Sequence, residues 1–413
     1  MSTMRFQSYF NHALTIIDGY DGSLPLSHHL KQYFAAHKKH GSTDRKMIAH
    51  ACYAYYRLGH ALKDQPPPAR LRAALFLCTD DPSKWSMAYG EGEGWRLEAG
   101  LELTERIALL KEVNPFFRVE DIFPWKEELS KDIDHTSFCL SFLRQPDLFI
   151  RIRPGHEQEV MQKLKGQPVE YIPPFTLRLP NGFKTEEFFT PDKEIVVQDY
   201  SSQRLAPFLQ IPDHSTPRPG PGAPLSVWDA CAASGGKSLL TYDLNAGFDL
   251  TVSDIRESIL HNLARRFHTA GIKDYHSFVV DLTRPRALDP GNPAHHNLLA
   301  SSKAVPPSFD LIIADVPCTG SGTWSRNPEE LFFFDPAKIN GYRKLQEKIL
   351  SNLTPHLNKQ ASLVYSTCSV FKKENEGMAA FINEALGLPF DRVEVIKGFD
   401  DRADTMFAAR FIS

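Results

Sequence analysis

No run of about 18 apolar residues occurs anywhere in these 413 residues, which excludes a helical membrane span. Met1 to Tyr20 lacks the basic start and apolar core of a secretory signal, so a cytoplasmic protein is expected. Cysteine is scarce. The six thiols (Cys52, Cys78, Cys139, Cys231, Cys318, Cys368) form no disulfide framework, and none has the short spacing of a zinc knuckle. No metal is therefore expected, and each thiol is either buried filler or a reactive group. A large excess of one charge is missing as well: 47 basic against 50 acidic residues leave a net charge of -3. That removes any global signal for nucleic acid while leaving room for a local basic patch. Neither Gly-x-Gly-x-x-Gly nor a P-loop is present, which disfavours a dinucleotide or triphosphate site.

What is there is the composition of a soluble globular chain, 42% hydrophobic and 23% charged, long enough for two or three domains. Phe6, Phe10, Leu14 and Ile17 recur at helical spacing, Ser42-Thr43-Asp44 reads as a helix N-cap, and Pro66-Pro67-Pro68 breaks the chain before a short apolar helix. Residues 1–128 are thus expected to form an all-α domain. Its histidines, His28, His29, His37 and His40, read as a solvated polar face, because no acid or thiol stands beside them at ligand spacing. Residues 129–197 read as a small α+β subdomain with short alternating strands, among them Phe149-Ile150-Arg151-Ile152-Arg153. A sheet with arginines on an open face suits either a phosphate backbone or plain solvent, and on the first reading Arg144, Arg151 and Arg153 are expected to face that backbone. From 198 to 413 strands alternate with helices, the pattern of a mostly parallel, doubly wound α/β sheet. Ile211 to Ser226 reads as a loop and Asp289 to Ser308 as a surface excursion.

Two strands of that sheet end in a thiol. Leu311-Ile312-Ile313-Ala314-Asp315-Val316-Pro317-Cys318 and Leu363-Val364-Tyr365-Ser366-Thr367-Cys368 each run from apolar residues into a small polar turn. Ligands of open α/β sheets sit at the carboxyl ends of strands, so Asp315, Cys318 and Cys368 can face one crevice. A third strand leads into Asp229-Ala230-Cys231-Ala232-Ala233-Ser234-Gly235-Gly236-Lys237, whose small residues let backbone amides approach a ligand. Asp254 and Asp281 end the next two strands, where an acid can bind ribose hydroxyls or, more plainly, cap a helix.

These stretches, with Tyr-Ser-Thr-Cys-Ser and Glu374-Asn375-Glu376 in the same order, resemble the RNA cytosine-5 methyltransferases of the RsmB/NSUN family. Arg326-Asn327-Pro328-Glu329 and Leu345-Gln346 stand where that family carries similar motifs. The resemblance covers about Gln198 to the end, and the helical start is similar in arrangement to the NusB-like domain of the bacterial rRNA branch. It implies a Rossmann-like class I methyltransferase domain with a seven-stranded sheet, S-adenosylmethionine as cofactor, RNA as partner, ribosomal RNA first, and, by analogy, a monomer. It further implies Cys368 as nucleophile toward C6 of cytosine, Asp315 against the base near N3, Cys318 in release of the enzyme, and Lys237 beside the thiolate. Asp254 would hold the cofactor's ribose, Asp281 its adenine, and the backbone of Ala232, Ala233, Ser234, Gly235 and Gly236 its methionine.

Ser234 stands where the family usually has proline, so a looser turn at the cofactor is expected, and Asp404-Thr405-Met406-Phe407 replaces its usual Asp-Gly-Phe-Phe. The remaining cysteines, Cys52, Cys78, Cys139 and Cys231, read as buried hydrophobes. The competing readings are an RNA-binding assembly factor on an inactive methyltransferase fold, a tRNA enzyme, and a DNA cytosine-5 methyltransferase. The second thiol argues against the last, which takes its nucleophile from the Pro-Cys motif.

Overall fold

The helical spacing at the start of the chain forms four helices, Thr3–Asp18, Leu26–Ala36, Ser42–Arg57 and Pro67–Cys78, followed by Leu103–Val113. The computed structural model describes residues 3–89, 95, 100–211, 224–245, 247–284, 296–297 and 308–413. Phe6, Phe10 and Ile17 are buried as the spacing requires, with Leu14 half-buried beside them. In the expected cap cluster the third residue acts: Asp44 accepts from the Gly41 amide (3.0 Å) and from the Tyr9 hydroxyl (2.6 Å). His28 and His37 are exposed, but His40 is buried, its ring edge-on to His12 at 4.6 Å. The solvated face expected for all four histidines thus fails at His40, which burial keeps below its ordinary pKa.

Internal contacts divide the chain into two units: Met1–Leu129, Asp134–Gln145 and Thr323–Asp335 in one, Ser130–Ile133, Pro146–Gly322 and Pro336–Ser413 in the other. Thr323–Asp335 follows a cysteine turn in sequence yet folds with the helices. The Leu26 amide donates to the Glu329 carboxylate (3.0 Å), and buried Arg57 donates to the carbonyls of Phe142 and Ser325 (3.1 and 2.9 Å). The Arg-Asn-Pro-Glu stretch therefore serves the helical core.

The second unit holds two sheets. The small one contains β1 (Leu148–Ile152), β2 (Glu170–Ile172), β3 (Thr176–Leu179) and β4 (Ile195–Val197), in the order β2-β3-β1-β4 with antiparallel pairs. Three-residue β4 is too short to show a period in the sequence. Ile150, Ile152, Leu177, Leu179 and Ile195 form its apolar core.

The arginines beside them are buried and do not form the open face expected. Arg151 is 2% exposed and donates to Asp243 (2.6 Å) and Gln198 (3.0 Å). Arg153 bonds both oxygens of Asp243 and the carbonyls of Asp192 and Ala270. The alternation was legible, but Asp243, in helix Gly236–Leu244, covers the face it defines. Only Arg144 of the three is exposed.

The large sheet comprises β5 (Leu225–Asp229), β6 (Phe248–Asp254), β7 (His276–Val279), β8 (His296–Asn297), β9 (Phe309–Asp315), β10 (Leu357–Thr367), β11 (Phe390–Ile396) and β12 (Met406–Ile412). Their order is β11-β12-β10-β9-β5-β6-β7-β8. β7-β6-β5-β9-β10 is parallel, and β12 runs antiparallel to both neighbours. This is the Rossmann-like methyltransferase sheet expected, with β8 added as a two-residue antiparallel edge. Val227, Leu250, Val252, Leu311, Ile313 and Val364 fill its core, as buried parallel strands demand. The loop expected at Ile211 to Ser226 and the excursion at Asp289 to Ser308 lie largely outside the described residues. Among the described residues, no helix is long and apolar enough to cross a membrane, and no group of three or more metal-ligating side chains occurs.

Candidate active site

Parallel pairing of β9 with β10 sets Asp315 opposite Ser366. Each strand then leaves the sheet in a turn bearing a thiol. Cys318 Sγ and Cys368 Sγ stand 3.4 Å apart, both free and both half-buried. The Ser366 hydroxyl donates to Asp315 Oδ1 (2.8 Å), and Lys237 Nζ, from the first turn of helix Gly236–Leu244, lies 2.5 Å from Asp315 Oδ2. Gly322 supports the second thiol from behind: its amide donates to the Cys368 carbonyl (2.8 Å). A Cβ at Gly322 would lie 1.9 Å from the Thr405 carbonyl oxygen, so no side chain fits there. The Thr405 that departs from the family pattern thus contributes backbone here.

Charge is arranged around this group. The hydrogen bond with Cys368, and then burial, push the Cys318 thiol well above its ordinary value, so it keeps its proton at neutral pH. For Lys237 burial lowers the pKa, but the Asp315 carboxylate outweighs it and leaves the ammonium raised and charged. Burial lifts Asp229 to about 7; Ser238 donates to its Oδ2 (2.6 Å) while Oδ1 has no hydrogen-bond partner.

A cleft of about 500 Å³ opens onto both thiols and Asp315 and extends past Asp254 and Asp281. A cavity of about 210 Å³ adjoins it, lined by Gln198, Asp229, Ser234, Lys237 and Arg266; Cys231, Ala233 and Asp315 border both. Between them runs the Ala232 to Gly236 turn, with Ala233 and Gly235 in the left-handed region (φ 47° and 83°). Ala233 donates its amide to Asp254 (3.0 Å), tying the turn to the end of β6. Ser234 has its own tie: Arg266 donates to its carbonyl (2.8 Å) and hydroxyl (3.2 Å) and is ion-paired with Asp192 (2.7 Å).

Of the sequence-derived residues, Cys318, Cys368, Asp315, Asp254 and Asp281 line the larger cleft and Ala232, Ser234, Gly236 and Lys237 the adjoining cavity, though not all with open valences. Asp281 lies just past β7, where hydrogen bonds from Thr283 and then Arg284 outweigh burial and lower its pKa. Asp254 accepts from the Arg256 amide (2.9 Å) as well. Cys231, read as a buried hydrophobe, is half-buried and borders the cleft. Burial and then the carboxylates of Asp229, Asp254 and Asp315 drive its thiol pKa well up, so it keeps its proton at neutral pH. Sequence reasoning missed Ser366, Asp229 and Gly322 as parts of the site. Asp229 stood at the head of the quoted turn, and Ser366 was marked by the strand pairing alone.

Sheet order and a cleft at the carboxyl ends of β5, β6, β7 and β9 define the class: a class I methyltransferase fold carrying two adjacent thiols. Residues 221–393 match the family model of the 16S rRNA methyltransferases RsmB/F. A probable ribosomal RNA small subunit methyltransferase B of Bacillus subtilis is 28% identical over 255 residues, covering 60% of this chain and 51% of the relative. Mouse tRNA (cytosine(72)-C(5))-methyltransferase NSUN6 is 27% identical over 196 residues, 47% of this chain and 39% of the relative. The chain thus spans about half or less of the length of these curated relatives. Among solved structures, PH0851 superposes over 100% of this chain and 99% of its own, with a TM-score of 0.64 and 17% identity. NSun6 from Pyrococcus horikoshii, solved with SFG, covers 67% of this chain and 94% of its own, with a TM-score of 0.52 and 14% identity. The match to the RsmB/F family model covers the part of the chain that holds both thiol-bearing turns, and the relatives named above are similar to it over that region.

Proposed function

We infer that the protein is an RNA cytosine-5 methyltransferase that uses S-adenosylmethionine, with ribosomal RNA as substrate. The observation that carries this reading is the pair of thiols at 3.4 Å beside the Lys237–Asp315 pair, at the carboxyl ends of adjacent parallel strands. C5 of cytosine is too weak a nucleophile to attack a methyl donor unaided. Thiolate addition at C6 makes it an enamine carbon.

The cleft suits the cofactor. Its volume of about 500 Å³ lies in the range of small-molecule sites. Asp254 and Asp281 are the acids for ribose and adenine, and the unpartnered Asp229 oxygen is an acceptor at the methionine end. S-adenosylmethionine, when bound, supplies the electrophilic methyl group.

The protein's own groups divide the remaining work. Cys318 keeps its proton and Cys368 attacks. Lys237 and Asp315 hold a proton between a strong donor and a strong acceptor, able to follow the charge that builds near N3 as C6 is attacked. Once C5 is methylated, its proton passes to solvent water, the C5–H electrons re-form the C5=C6 double bond and the C6–S bond breaks, so that Cys368 leaves as a thiolate to which the protonated Cys318 can donate a hydrogen bond. All these groups lie on one chain, consistent with a monomer, and the target base must be unpaired or extruded to enter.

The test is transfer of labelled methyl from S-adenosylmethionine to unmodified RNA, with nucleoside analysis. Labelled 5-methylcytosine that falls by about 10⁴-fold or more with Cys368→Ala, and a covalent RNA adduct trapped by Cys318→Ser, are expected. Cofactor binding without transfer to ribosomal, transfer or assembly-intermediate RNA would overturn the reading in favour of a binding factor.

A further inference from the structure

Four donors converge on one carboxylate that this chemistry leaves unused. Glu374 is fully buried between β10 and helix Glu376–Glu384. Its Oε1 accepts from the Thr319 amide (2.9 Å) and Gln346 Nε2 (3.1 Å), and its Oε2 from the hydroxyls of Thr319 (2.6 Å) and Ser369 (2.5 Å). Thr319 follows Cys318 and Ser369 follows Cys368. One carboxylate therefore ties both thiol-bearing turns, a single residue from each sulfur. Gln346 adds a second tie to the first turn by donating to the Pro317 carbonyl (3.0 Å). Asn375 adds one to the second, donating to the Ser369 carbonyl (2.9 Å) and accepting from Thr367 (2.7 Å).

We propose that Glu374 is a positioning residue that sets the separation of the Cys318 and Cys368 sulfurs by holding both turns at one point. This rests on the reading of those thiols as the reacting pair. Sheet pairing aligns the chains only as far as Asp315 and Ser366. Beyond that point the two turns share no ladder; the Gly322 amide joins the Cys368 carbonyl (2.8 Å), the Thr319 and Ser369 hydroxyls meet (3.2 Å), and the buried Glu374 carboxylate bridges those same two residues. An ionised carboxylate offers about four lone-pair sites, which matches the four donors. A glutamine in its place keeps one oxygen for the two N–H donors, and its amide group can donate to hydroxyls, which accept as readily as they donate. An alanine removes the shared acceptor: the Thr319 amide loses its partner in a buried place, Gln346 keeps only the Pro317 carbonyl, and the Thr319 and Ser369 hydroxyls keep only each other and Ser321.

The test needs no substrate. Diamide takes two hydrogens from a thiol pair, giving a disulfide while it is reduced to a hydrazine, and the rate of Cys318–Cys368 bond formation in the full chain is followed by peptide mass. Glu374→Ala is expected to slow this oxidation about tenfold and to lower the methyl-transfer kcat about 100-fold, with KM for the methyl donor within about threefold of the parent. Glu374→Gln is expected to restore both rates to within about threefold. A folded Glu374→Ala chain that oxidises at the parent rate would overturn the proposal, as would a glutamine variant as slow as the alanine variant. If Glu374→Ala does not fold, Ser369→Ala removes one tie, and an unchanged oxidation rate there overturns the proposal. Because oxidation requires neither RNA nor cofactor, a parent chain without methyl transfer would count against the function alone.

Discussion

The Arg151–Asp243 and Lys237–Asp315 contacts have nearly the same length, 2.6 and 2.5 Å, and lie in the same unit of the chain. Their surroundings differ. The first pair is 2% and 4% exposed, and its carboxylate is gripped by a second arginine. The second is 15% and 27% exposed, and its carboxylate borders the cleft beside two thiols. A cation-carboxylate pair sealed among other partners can only hold elements together. The same pair at the wall of a cleft can also meet a ligand, so its neighbours, more than its own strength, mark it as chemical.

Substitutions can break this comparison. Asp243→Ala leaves two buried guanidinium groups without their carboxylate and should cost about 3–5 kcal/mol of stability in chemical denaturation. Asp315→Asn should lower methyl-transfer kcat by about 10²–10³ while leaving the denaturation midpoint close to the parent's. Equal losses of stability in the two variants would erase the distinction.

A third measurement sharpens the electrostatic side. Asp229 holds its proton to about 7 in the folded chain against 3.8 for an ordinary aspartate, because it is buried. The folded state therefore binds more protons than the unfolded state between those values. Its contribution is fully present below 3.8 and is lost as pH rises through about 7. Asp229→Asn should flatten the fall of the thermal midpoint across that window, and an unchanged slope would show that Asp229 does not titrate there. The smallest effect concerns Arg144, the exposed member of the arginine set. Arg144→Glu should weaken RNA binding and reduce its salt slope by about 1 or more, with stability unchanged, as expected for a phosphate contact.

Much of the fold was legible because its signals are local. Strand-helix alternation, the apolar runs before Asp315 and Cys368, and the small residues from Ala232 to Gly236 are each contained in a few consecutive residues. Ser234 shows where such reading stops. Its departure from proline suggests a looser turn, whereas Arg266, 32 residues on, braces its carbonyl and hydroxyl. Arg151 and Arg153 are a second case. Alternation identified a common face correctly, but whether water or Asp243, about 90 residues away, covers that face has no local signature.

By itself the sequence determined the order of elements, the sheet type and which thiols and acids end its strands, since those follow from periodicity and residue chemistry along short stretches. Tertiary structure alone decided that Glu329 receives the amide of Leu26 from 303 residues away, that Thr323–Asp335 folds with the helices, and that Glu374 gathers donors from turns 5 and 55 residues distant. Buried polar groups must find partners wherever packing places them, and no pattern along the chain records which partner that will be.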